Sequence, residues 1–138
     1  MSVIVNIPML APRECSLNYH GELRAKMRST KAWRETAFYC ARQALPGVFP
    51  SFKKAVVRIT FQVPSQAYIK DDDNAIASCK AIFDGCVLAG IVCDDSPEHL
   101  RILQVVWDID KAKDKATILE FIDLEEVKHG AGESKSNS

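Results

Sequence analysis

Carboxylates crowd one stretch of this chain: Asp71, Asp72 and Asp73 run into Asn74, Lys80 and Asp84 follow, and Asp94-Asp95 closes the segment. Like charges this dense repel one another, so a fold that gathers them needs a cation or shared protons. In an extended segment residues i and i+2 point the same way, so Asp71 and Asp73 would present two carboxylates to one ion while Asp72 faces away. Asp95 would supply a third. Three aspartate oxygens completed by water and a phosphate suit octahedral Mg2+, with Mn2+ as a substitute. Lys80 comes two helical turns after Asp73, about 10 Å along the axis and near the same face. Its ammonium could neutralise a scissile phosphate or the charge developing on it. Plainer roles compete for the same residues: Asp71 to Asp73 as caps of the following helix, and Lys80 as the ion-pair partner of Asp84 four residues on.

Other chemistries are excluded. The acidic stretch is not an EF-hand, because Ile76 and Ile82 stand where the loop needs its Gly and its Glu. No Gly-rich phosphate loop occurs, which argues against a nucleotide cofactor. The five cysteines, Cys15, Cys40, Cys79, Cys86 and Cys93, form no Cys-x-x-Cys, and His20, His99 and His129 are scattered. That pattern fits reduced thiols used as small hydrophobes, with neither a disulfide framework nor structural zinc.

The elements that must position these residues follow from periodicity. Val3, Val5 and Ile7 alternate in a first strand that stops at Pro8. An ordered loop is expected from Ala11 to Leu23. Ser29 or Thr30 would cap a helix reaching Leu45, with Trp33, Ala37, Cys40, Ala41 and Ala44 on its apolar side and Pro46-Gly47 as its stop. Trp33 belongs to that stripe and is expected in the core. Ala55 to Val63 alternates as a second strand. A second helix is expected from Asn74 to about Ala89, stopped at Gly90. Short strands are expected at Ile91–Cys93, at Leu100–Asp108 with Leu103, Val105, Trp107 and Ile109 on one face, and at Thr117–Leu124. The tail from Lys128 is polar and Gly/Ser-rich and is expected to be disordered.

With 138 residues, 47% of them hydrophobic, the chain suits one domain. No apolar run is long enough for a membrane span, and Ser2 to Leu10 does not read as a signal peptide, so a cytoplasmic protein is expected. The formal charge is zero, yet Met1 to Lys70 holds eleven Lys/Arg against three Asp/Glu and the remainder holds seven against fifteen. A basic first half could bind phosphates while the acidic second half holds metal, or the halves could pair with each other. The candidates for DNA contact are Arg24, Lys26, Arg28, Lys31 and Arg34, with Lys70, Lys53 and Lys54 further out; each has a solvated surface as its alternative.

The order Asp71-x-Asp73-Asn74, Lys80-x-x-Phe83-Asp84-Gly85, Ala89-Gly90, Asp94-Asp95, together with Ser16-Leu17-Asn18 and Trp33-Arg34 upstream, resembles the RusA family of Holliday junction resolvases of bacteria and their phages. The likeness extends from the first strand to Leu124. It implies a magnesium-dependent endonuclease that works as a homodimer on four-way DNA junctions. Asp71, Asp73 and Asp95 would be its metal ligands, and Lys80 would be the catalytic lysine, displaced along the helix by a small insertion. Flap-type branched DNA is an alternative substrate, and a non-catalytic dimeric DNA-binding protein an alternative of another class. The fold expected is a single α/β domain over residues 1–127, strand-helix-strand-helix followed by a strand meander, with a mixed sheet and a homodimeric assembly.

Overall fold

The structure, a computed structural model, describes residues 1–125; the polar tail expected from 128 to 138 lies outside them. β1 (Ser2–Ile7), α1 (Leu23–Ala44), β2 (Ala55–Val63), α2 (Asp72–Ser78), α3 (Lys80–Ala89), β3 (Leu100–Ile109) and β4 (Ala116–Asp123) follow in order. Short 3-10 turns at Arg13–Cys15 and Gln66–Tyr68 precede α1 and α2. The strands form one mixed sheet in the order β1-β4-β2-β3.

Alternation builds one face of that sheet. Val3, Val5 and Ile7 of β1, Ala55 to Phe61 at every second position of β2, and Leu119 and Phe121 of β4 are all buried, as the period of two requires. They share a core with Trp33, Ala37 and Ala41 of α1 and with Ile82, Phe83, Cys86 and Ala89 of α3. The result is two layers, helices against one face of the sheet.

Several boundaries differ from expectation for identifiable reasons. α1 starts at Leu23, and Ser29 and Thr30 lie inside it. Leu-Arg-Ala-Lys-Met-Arg is a run of strong helix formers, and the Glu22 carbonyl accepts the first helical hydrogen bond from the Lys26 amide. Ser29 instead donates to Glu14, and the Thr30 hydroxyl meets the Cys15 thiol, so both hold the 3-10 turn against the helix. The expected strand at Ile91–Cys93 reduces to a single bridge between Phe52 and Val92. The meander is also replaced. β3 lies at the sheet edge parallel to β2, and β4 inserts antiparallel between β1 and β2. A parallel pair needs a crossover, and α2 with α3 is that crossover. On β3 an irregularity falls opposite Val57 and Arg58, whose partners are Ile102 and Gln104, leaving Leu103 unpaired. Leu103 therefore faces solvent, while Val105 and Trp107 pack on the core.

The expected single helix from Asn74 to Ala89 is broken at Cys79. The Trp33 indole donates to the Ser78 carbonyl at 2.9 Å, taking the acceptor that the Ile82 amide would otherwise use. Ile82 bonds to the Cys79 carbonyl instead. One turn further on, Gly85 of α3 lies against the backbone of α1, where a Cβ would collide with the Arg34 carbonyl oxygen and sit 3.0 Å from the Phe38 amide. Gly85→Ala is therefore expected to destabilise the fold by about 1–3 kcal/mol. Gly47→Ala, with nothing within 4 Å of the added carbon, should be tolerated. Urea unfolding of both variants checks the contrast.

Candidate functional site

The crossover between β2 and β3 carries the acidic stretch. Asp71 is the N-cap of α2, its carboxylate accepting from the Asn74 amide at 2.8 Å. Because the helix begins at Asp72, Asp71 and Asp73 are not i and i+2 of an extended segment, and the same-side geometry expected for them is replaced by that of a helix start. Asp72 accepts from the Trp107 indole at 3.3 Å, which ties the crossover to the far end of β3. Asp73 is exposed and its side chain has no hydrogen-bond or ion-pair partner among the described residues. Asn74, nearly buried, accepts from the Ser16 hydroxyl and from the Leu17 amide, so the loop ahead of α1 is docked on the residue that follows the aspartates.

A second group forms around α3. Lys80 opens the helix and is exposed; Asp84, one turn along, has the Asp95 carboxyl as its acidic neighbour. Partial burial and then the nearby Asp95 carboxyl raise the Asp84 carboxyl above its ordinary value, while Arg34 and Lys80 pull the other way. The Asp94 carboxylate accepts from the Asp95 amide at 2.9 Å, and the neighbouring Ser96 first and that amide next keep its carboxyl below the ordinary range. Of the Asp94-Asp95 pair, the second is thus the one turned toward the helix.

Asp71 to Asp73 and Asp95 lie toward opposite ends of β3. Asp72 is anchored at Trp107, whereas Asp95 shares a groove with Leu100, Arg101 and Ile102. Leu100 to Trp107 spans roughly 23 Å of strand. Among the described residues no three His, Cys, Asp or Glu side chains form a group able to hold a metal ion. The groove that contains Asp95 and Lys80 is lined on its helical side by Ile76 and Ala77, and Asp73 is one α2 turn from Ala77.

Basic residues cover the exposed side of α1. Lys26, Lys31 and Arg34, at helical spacing with Leu23, Met27 and Thr30, line a groove of about 530 Å³. Arg28 borders the same groove, Arg24 is exposed on the same helix, and Leu23 and Met27 are 69% and 62% exposed. Arg24, Lys26, Arg28, Lys31 and Lys70 make no ion pair among the described residues. Lys26 and Thr30 also line a cleft shared with Ser16, Lys80 and Asp84, and Lys80 continues into the groove of Asp95. The basic helix face and the Asp84–Asp95 pair are therefore joined by adjoining clefts. Lys70 stands apart, in a groove at the end of the sheet; Lys53 and Lys54 are exposed ahead of β2.

Asp84 was the residue that spacing alone left as a mere ion-pair partner for Lys80. The signal was present in its i+4 position, but only the return of the chain past α3 shows that a second carboxylate meets it. No protein-family model matches the sequence, and no curated protein matches it either. No helix among the described residues is long and apolar enough to cross a membrane.

The raised Asp84 carboxyl has a sign that can be measured in metal-free buffer. Below its ordinary value of 3.8 the group is protonated whether the chain is folded or not; as pH rises past that value and through the folded-state value, ionisation penalises the folded form. Asp84→Asn should therefore melt at a higher temperature than the wild type at neutral pH, with the gap closing below pH 3.8. Thermal unfolding followed across pH checks this.

Proposed function

We propose that this protein is a metal-dependent endonuclease of the RusA type that resolves four-way DNA junctions as a homodimer. The observation that carries the reading is the run of clefts from the unpaired cations of α1 to Lys80, Asp84 and Asp95. A polyanion drawn to α1 would lie with its backbone leading toward the carboxylates. Residues of the motifs that suggest the family also meet in space: Ser16 and Leu17 on Asn74, and Arg34 against Gly85 and Asp84.

The neighbouring carboxyls of Asp84 and Asp95 suit a hard divalent cation, because an ion between them would offset the burial that chiefly raises the Asp84 carboxyl and the Asp95 charge beside it. Asp95 and Asp84 would hold Mg2+ or Mn2+; Asp71 and Asp73, the other ligands that the resemblance assigns, stand toward the far end of β3 in the same chain. A cation held there would supply Lewis-acid assistance to hydrolysis of the phosphodiester. Lys80, exposed at the mouth of both clefts, neutralises the phosphate there. Arg34 restrains Asp84 by charge, and the cations of α1 position the backbone without reading bases. A second copy of the chain gives two such sites, matching two symmetric cuts, and the open edge of β3 with its exposed Leu103 offers a surface for pairing.

Synthetic four-way junctions, flaps and linear duplex offered with and without Mg2+ test the reading. Paired nicks confined to the junction and dependent on the ion are expected. Asp95→Asn and Lys80→Ala should each lower the cutting rate by roughly a hundredfold or more while junction binding persists. Cutting of flaps alone would move the substrate assignment, and binding with no cutting of any substrate would favour a non-catalytic DNA-binding protein.

A further inference from the structure

Lys70 lies apart from the α1 face, in a groove of about 700 Å³ at the end of the sheet where β1 and β2 stop and β4 begins. Its walls come from three separate segments: Pro8 to Ala11 with Arg13, Ala67 and Tyr68 with Lys70, and Asp114-Lys115. The charged lining is three cations, Arg13, Lys70 and Lys115, against the single carboxylate of Asp114.

The cations are available. Arg13 has an 89% exposed side chain and only a loose contact with Glu14 at 3.7 Å, and Glu14 is itself engaged by Ser29. Lys70 makes no ion pair among the described residues. Lys115 is held over the Tyr68 ring at 4.7 Å, a contact that fixes the ammonium without neutralising it. The groove is also stiffly built. The fully buried Thr117 donates its hydroxyl to the Met9 carbonyl, and the Asp114 carbonyl accepts from Gln62 at 2.7 Å. Its cationic wall leads directly into Asp71, because Lys70 is the residue before that N-cap.

We propose that this groove seats a second stretch of DNA backbone, with Arg13, Lys70 and Lys115 on phosphates and Tyr68 positioning Lys115. The inference rests on the nuclease reading above and extends it. A branched substrate has arms that leave in different directions, and two separate cationic surfaces flanking the crossover would hold two of them. A linear duplex could occupy only one.

The test is the salt dependence of binding, measured by titrating a fluorescently labelled synthetic four-way junction in metal-free buffer over a series of salt concentrations. Each phosphate contact contributes about 0.9 to the slope of log affinity against log salt. Arg13→Ala combined with Lys115→Ala should lower the wild-type slope by about two. Tyr68→Ala should lower it by less, and Tyr68→Phe, which keeps the ring, should leave it unchanged. On a linear duplex of equal length the double variant should bind nearly as the wild type does. A junction slope that falls with Arg28→Ala and Lys31→Ala but not with Arg13→Ala and Lys115→Ala overturns the groove while leaving the nuclease reading in place. A wild type that binds no DNA even at low salt overturns both.

Discussion

The Trp33 indole bond to the Ser78 carbonyl governs the geometry of the acidic stretch. By claiming that carbonyl it interrupts the helix at Cys79, so that α3 starts afresh at Lys80. The contact is buried, where an unpaired indole N–H or carbonyl would cost about 1–3 kcal/mol, which makes the break a fixed feature of the fold. Gly85 completes the constraint by letting the two helix backbones meet at the Arg34 carbonyl. Lys80, Asp84 and Arg34 thus owe their relative placement to one helix crossing, and the turn at Asp94-Asp95 needs only to return beside it.

Charge distribution follows from the same topology. The acidic second half does not simply neutralise the basic first half. Arg58 pairs with Glu120 across adjacent strands at 2.6 Å, a half-exposed bridge of modest worth, whereas the cations of α1 stay unpaired at the surface. The α1 cations lie close together on one helix, where their mutual repulsion contributes nothing to stability. The thiols have the opposite character. Cys79 and Cys86 are pushed up to about 12 by burial and act as packing groups of the helix pair.

The strands were largely legible in the sequence because period-two alternation is a local signal: β2 spans Ala55–Val63 as read, and the buried positions of β1 are Val3, Val5 and Ile7. Strand order was not legible, since nothing local tells β4 to insert between β1 and β2 ahead of β3. The helix break could not be read either, because its cause is an indole 45 residues away in sequence. At the candidate site, the cap role of Asp71 and the core position of Trp33 follow from local patterns, and both are present. The meeting of Asp84 with Asp95 depends on the length of α3 and on the path of the chain after Gly90, which takes a left-handed conformation at φ 97° to end the helix. Asp71 and Asp73 belong to one end of the crossover and Asp95 to the other, a separation that their spacing in sequence does not reveal.

The central claim, paired metal-dependent cutting at a four-way junction, is tested most directly on a supercoiled plasmid that extrudes a cruciform. Two symmetric cuts within the lifetime of one complex convert it straight to a linear molecule whose ends map to the cruciform. The account predicts that linear product with Mg2+ or Mn2+ and none in chelator. Absence of cutting with either ion, or cutting that persists undiminished in chelator, would contradict it.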